Sequence, residues 1–176
     1  SFLYAITIRQ IVSKDPIFKD LQVVRVLIVG DISHSRVARS NLLLLRTLGA
    51  EVHVCGPATL APNSLTDANH VHFLLDDAIK KVKPNVVMML RVQQERMNAS
   101  YFPSEREYSR IWGLNKSRLS MLEPSTQILH PGPMNRGLEI DAASADSDNS
   151  MVLSQVRNGV AVRMAVLFTL LSGGTN

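Results

Sequence analysis

Cysteine is almost missing from this chain: Cys55 stands alone among 176 residues. That excludes an internal disulfide and any metal site built from cysteines, and it suits a reducing compartment. At the end of an apolar run, the lone thiol reads as a buried structural group. No apolar stretch approaches the length of a transmembrane helix, and the N-terminus lacks a basic region followed by an apolar core and a cleavage site. No membrane association is therefore expected, and the cytoplasm is the default location. Aromatic residues are only 5% of the chain, and the net charge of +4 is spread along it. A basic surface interleaved with aromatics, as single-stranded nucleic acid requires, is not there; an anionic small molecule accounts for the excess charge more economically.

Catalytic signatures are missing as well. The histidines, at 34, 53, 70, 72 and 130, show neither His-x-x-His nor His-Glu-x-x-His spacing, so no metal is expected. His53, His70 and His72 lie in or near strand segments and read as packed or surface residues. There is no Gly-x-Ser-x-Gly elbow, which disfavours covalent hydrolysis. The turn after Gly30 lacks the second and third glycines of a dinucleotide fingerprint.

What is present is the alternation of an α/β protein. Apolar, β-branched runs at residues 23–29, 51–55, 71–74, 85–90 and 127–129 read as strands, and helical spacing occupies 35–48, 76–83, 104–112, 115–122 and 149–171. An amphipathic helix opens the chain at residues 1–8. The length suits one domain. Strands alternating with helices predict a doubly wound parallel sheet in three layers, α/β/α, forming a single Rossmann-like domain. If winding reverses after the third strand, the first and fourth strands are neighbours and the fifth lies beside the fourth. Ligands in such sheets bind outside the carboxyl ends of the strands at that reversal.

Three unusual loops follow those strands, at residues 31–36, 91–96 and 130–134. The first offers Asp31, Ser33, His34, Ser35 and Arg36 at a helix start, either as an anion site or as an N-cap with solvated arginines. In the second, Arg91 leaves the most apolar strand and needs a partner, which is a ligand or a carboxylate such as Glu95. Gln93 would face the same way as Arg91 in an extended segment. In the third, which runs on to Ile140, two prolines and two glycines, Gly132 and Gly137, shape a rigid loop, which is either a tight turn or a frame holding backbone groups beside a small polar ligand. Positioning and charge stabilisation are what the three loops share, and acyl transfer between two bound anions uses both.

Residues 29–41 (Val-Gly-Asp-Ile-Ser-His-Ser-Arg-Val-Ala-Arg-Ser-Asn), 89–97 (Met-Leu-Arg-Val-Gln-Gln-Glu-Arg-Met) and 129–140 (Leu-His-Pro-Gly-Pro-Met-Asn-Arg-Gly-Leu-Glu-Ile) resemble the aspartate carbamoyltransferase family. The likeness extends to Tyr108-Ser-Arg and to the run from Asn158 to Met164, in order over essentially the whole chain. It implies a C-terminal aspartate-binding domain spanning residues 1–176, with interdomain helices at about 1–13 and 149–171. By matching positions, Arg36, Arg91 and Gln93 would hold the carboxylates and amine of aspartate. Pro131 and Gly132 would present backbone carbonyls to the transferred carbamoyl amide, as the catalytic positions. Glu95 and Arg96 would brace a closing loop, and Arg163 would support from the last helix.

The implied activity is transfer of the carbamoyl group from carbamoyl phosphate to L-aspartate in de novo pyrimidine biosynthesis, with no cofactor and no metal. The implied partners are a carbamoyl-phosphate domain and neighbouring catalytic chains in a homotrimer. The family's Ser-Thr-Arg-Thr phosphate loop is not in the sequence, nor is the His-Pro-Thr-Gln motif that would stand before Ser1, and Tyr4 and Ile6 replace a usual Asp and Tyr. The chain thus reads as truncated and inactive alone. A sister enzyme using ornithine has His-Cys-Leu-Pro where His130 begins His-Pro-Gly-Pro. Arg91 and Gln93 also suit a dicarboxylate better than a cationic side chain. The alternative from another class is a non-catalytic dicarboxylate-binding or assembly module left after loss of the first domain. A nucleotide-binding regulator is weakened by the missing glycines.

Overall fold

The computed structural model describes residues 2–12, 21–61, 70–92 and 104–172. Five parallel strands, β1 (Arg25–Val29), β2 (Glu51–Cys55), β3 (Val71–His72), β4 (Val86–Met89) and β5 (Gln127–Leu129), form one sheet in the order β3-β2-β1-β4-β5. The expected neighbours at the winding reversal, β1 with β4 and β4 with β5, are the observed ones. Alternation along each strand divides the core into two layers. Val26 and Ile28 of β1, with Val52, Val54, Val86 and Met88, pack against α1 (Phe2–Val12) and α2 (Arg36–Thr47). Leu27 and Val29, with Cys55, Val87 and Met89, pack against α3 (Leu75–Val82) and α4 (Glu105–Trp112) on the other face. Both faces being covered is why β1 and β4 read as unbroken apolar runs. Short helices α5 (Lys116–Leu119) and α6 (Ala142–Ala145) complete the α3 side, and α7 (Val152–Ser172) packs on α1.

Several boundaries differ from the sequence reading, each for a local reason. The first strand starts at Arg25 rather than at residue 23, because the Val24 N–H turns back to the Leu21 carbonyl at 2.9 Å. The third strand stops at His72, since Leu74 already serves as the N-cap position of α3. Helix α5 closes after one turn, with the Leu122 N–H on the Leu119 carbonyl. The last helix begins at Val152, not at residue 149: Asn149 instead donates its side-chain amide to the carbonyls of Pro124 and Thr126. Cys55 is buried, as expected. Among the described residues no helix is long and apolar enough to cross a membrane.

Candidate functional site

Because β1, β4 and β5 are adjacent and parallel, the loops after Val29, Met89 and Leu129 leave the same edge of the sheet. The first pair is brought close by Gly30, whose φ of +126° lies outside the range of other residues. A Cβ there would meet the Leu90 Cβ and the Tyr108 hydroxyl at 3.1 Å. Tyr108 is fully buried under this junction, and desolvation pushes its phenol well above the ordinary range. The second pair is joined directly: Asn135 Nδ2 donates to the Val92 carbonyl at 3.0 Å.

In the loop after β1, Asp31 is buried and turned to local work. Its carboxylate accepts the His34 backbone N–H at 3.0 Å and meets His34 Nδ1 at 3.0 and 3.1 Å. Ser35 is the N-cap of α2, accepting the Ala38 N–H at 3.1 Å, so the N-cap alternative holds for that residue. Arg36 is then the first helical residue and is exposed. Arg91 is half-buried at the end of β4. Gln93, Glu95 and Arg96 lie outside the described residues. Arg163 sits on the exposed part of α7, its Nε donating to the Gly159 carbonyl one turn back at 3.3 Å.

The loop after β5 is held by a buried polar brace that the sequence reading did not single out. His130 and Glu139 are both completely buried, with His130 Nε2 and Glu139 Oε1 3.1 Å apart. The Gly132 N–H donates to His130 Nδ1 at 2.8 Å, which makes Nδ1 an acceptor and places the ring proton on Nε2, pointing at Glu139. Glu139 Oε1 also accepts the Asn135 N–H at 2.6 Å, and Gln155 Nε2 of α7 donates to the His130 carbonyl at 2.7 Å. Both ends of the His-Pro-Gly-Pro run are thereby fixed from inside. Gly132 has φ +59° and the Gly132–Pro133 peptide is cis. Nothing within 4 Å would obstruct a Cβ at Gly132, so glycine is required there by conformation rather than by space. Such a frame suits recognition of an amide N–H. The one signal in the sequence was an acidic residue, Glu139, set between Leu138 and Ile140 in a loop otherwise built for turning.

Beside this loop, on the α4 side, is a polar cavity of about 630 Å³ whose lining includes Arg106, Arg110, Asn135 and Arg136. Arg136 is engaged by Asp146 at 2.7 and 2.8 Å. Behind it, buried Arg118 spans the carboxylate of Asp76 (Nε to Oδ1 2.6 Å) and the carbonyls of Gly113 and Arg110, at 2.6 and 2.7 Å. That guanidinium ties α3, α4 and α5 together beneath the site.

A family model described as aspartate/ornithine carbamoyltransferase, Asp/Orn binding domain, matches residues 22–170. The aspartate carbamoyltransferase catalytic subunit of Clavibacter sepedonicus is 58% identical over 156 residues, which are 88% of this chain and 49% of that protein. The chain thus spans about half the length of the curated relatives it matches. Ornithine carbamoyltransferase from Thermus thermophilus superposes with a TM-score of 0.74 at 23% identity, over 96% of this chain and 53% of that one. Aspartate transcarbamoylase from Trypanosoma cruzi, in complex with carbamoyl phosphate, does so with a TM-score of 0.74 at 22% identity, over 95% and 53%. These two likenesses speak to the fold, and they do not separate one amino-acid acceptor from the other. The family match takes in all three loops and all five strands, and the chain belongs to the aspartate/ornithine carbamoyltransferase family, of which it carries the Asp/Orn-binding domain.

Proposed function

We propose that the chain is the aspartate-binding half of an aspartate carbamoyltransferase, which joins the carbamoyl group of carbamoyl phosphate to L-aspartate on the way to pyrimidines. The observation that carries this reading is 58% identity to an aspartate carbamoyltransferase catalytic subunit over 88% of the chain, together with three loops at one sheet edge. In this reading Arg36 and Arg91 pair with the two carboxylates of aspartate, each guanidinium offering a fork of donors, and Gln93 meets the amine side. The carbonyls of Pro131 and Gly132 accept from the carbamoyl amide and hold its carbon in line with the amine. The amine nitrogen forms the new C–N bond, the C–O bond to phosphate breaks, and the ammonium proton leaves with the departing phosphate. Alignment and charge stabilisation carry the rate, so no metal or cofactor is needed for the step. Glu95, Arg96 and Arg163 are supporting residues. The cytoplasm is the corresponding location, consistent with a free, buried Cys55.

The donor's phosphate is assigned to a separate carbamoyl-phosphate domain, with neighbouring catalytic chains completing a trimer. Support comes from α7, which leaves Leu153, Val156, Val160, Met164, Leu167 and Phe168 exposed along its length, an apolar face that a monomer would not keep in water. Helices α1 and α7 are then the interdomain pair, held to each other by Asn158 Nδ2 on Thr7 Oγ1 (2.9 Å) and Gln10 Oε1 (2.7 Å). The test is carbamoyl-aspartate formation by the purified chain, alone and with the carbamoyl-phosphate domain supplied as a second polypeptide. Turnover restored by that addition, and with aspartate but not ornithine, is the expected result. Full turnover by the chain alone, ornithine as the better acceptor, or no turnover in the mixture despite aspartate binding would each overturn it, the last in favour of a dicarboxylate-binding module.

A further inference from the structure

Far from the three loops, at the β3 edge of the sheet, the fold gathers groups that are scattered in sequence. Glu51 and His53 share one face of β2, and His70 leads into β3, followed by His72. His53 Nε2 lies 2.8 Å from Glu51 Oε1, and His53 Nδ1 lies 3.0 Å from His72 Nε2. The rings of His53 and His70 have centroids 4.7 Å apart. One donor atom from each of Glu51, His53 and His70 falls within 4.8 Å of the other two. His70 Nδ1 is buried with no hydrogen-bond partner among the described residues. Half of the Glu51 side chain is open to solvent, so the cluster has an entry path.

We propose that Glu51, His53 and His70 form a site for a divalent transition-metal ion of the zinc class, with His72 orienting His53 from behind. Two imidazoles and one carboxylate leave a further position for water, a donor set that suits such ions and not magnesium or calcium. His53 is prepared for this by its two partners. Without metal, Nε2–H faces Glu51 and Nδ1 accepts from His72. With metal on Nε2, the same ring carries its proton on Nδ1 and donates it to His72, a tautomer exchange with no net change of charge on either ring. Both His53 and His72 are buried, which disfavours the charged imidazolium and leaves lone pairs available. The opposing group is the exposed Lys81 ammonium on α3. The ion would pin His70, and with it a two-residue edge strand, onto β2; it sits two strands from β4 and takes no part in carbamoyl transfer.

The experiment is titration of the untagged chain with Zn2+, by calorimetry and thermal unfolding, with Mg2+ in parallel and Co2+ absorption to report coordination. One Zn2+ per chain, a raised Tm, four-coordinate Co2+ bands and no response to Mg2+ are expected. His70→Ala and Glu51→Gln, at incompletely buried positions, should each weaken Zn2+ binding at least about tenfold while the metal-free Tm stays near the parent value. Lys81→Gln should tighten it. Absence of saturable Zn2+ binding overturns the proposal. So does binding that survives both His70→Ala and Glu51→Gln, or that is lost on His34→Ala instead.

Discussion

Glu139→Ala tests whether the buried brace shapes the His130 loop. The substitution removes the acceptor of two donors, the fully buried His130 Nε2–H at 3.1 Å and the N–H of half-buried Asn135 at 2.6 Å. Each buried donor left without a partner costs about 1–3 kcal/mol. Partial relief comes from deleting Oε2, which has no partner among the described residues. A net loss of about 2–4 kcal/mol follows, a large share of the roughly 5–15 kcal/mol that holds a domain together. For a chain of this size that is a fall in Tm of about 5–15 °C. Glu139→Gln keeps an oxygen in the Oε1 position and exchanges one unpartnered atom for another, so its loss should stay within about 1 kcal/mol. Differential scanning calorimetry measures both, and amide exchange at Gly132 and Asn135 locates the effect, since Gly132 N–H depends on the ring that Glu139 orients. An Ala variant within about 0.5 kcal/mol of the parent, or a Gln variant as damaging as Ala, would refute the reasoning.

Arg91→Ala, in the enzyme completed by its carbamoyl-phosphate domain, should lower kcat/KM for aspartate by about 2–5 kcal/mol while carbamoyl phosphate still binds, because a bound carboxylate loses its fork of donors; steady-state kinetics in both substrates decide it. Gly30→Ala should destabilise by roughly 2–4 kcal/mol in urea unfolding, through positive φ and through contacts at 3.1 Å with Leu90 and Tyr108. Arg118→Ala should cost about 3 kcal/mol, since two carbonyls and the Asp76 carboxylate lose one shared donor. The same variant has a pH signature. The Arg118 guanidinium holds the Asp76 carboxyl below its ordinary 3.8, so the pair's contribution is present above that pH and is lost as pH falls through the folded value. The acid limb of the stability curve should therefore be shallower in Arg118→Ala, and an unchanged limb would remove the pair from the account.

Strand order was legible because it depends on features that one-dimensional patterns carry. Runs such as residues 85–90, apolar without interruption, declare strands buried on both faces, and right-handed crossovers leave few ways to arrange five of them. The edges were harder. Val71 and His72 pair with Val54 and Cys55, but Phe73 and Leu74, as apolar as Val71, are given up to the α3 start, because a two-residue strand at a sheet edge gains little from extension. Hydrophobicity favoured Phe73 and Leu74 over His72 as strand residues, and only the position of the helix decided otherwise.

The candidate site divides along the same line. Its loops could be placed from topology, since residues that follow adjacent parallel strands must share an edge. What organises each loop could not, because a hydrogen bond between His130 and Glu139 across nine residues has no period, and its direction is set by a third group, the Gly132 N–H. Gln155 is a plainer case. On α7 it looks like one more polar residue of an exposed helix, yet it is buried and reaches the His130 carbonyl at 2.7 Å. The helix whose outer face is apolar and uncovered thus has its inner face bonded to the loop after β5. Any domain that packs on Val156, Val160 and their neighbours must therefore register, through Gln155, on the loop proposed to hold the carbamoyl amide. Spacing along the chain also argued against a metal, while Glu51, His53 and His70 meet only after β3 is laid beside β2. Motif spacing detects ligands that share an element; it is blind to those that a sheet assembles.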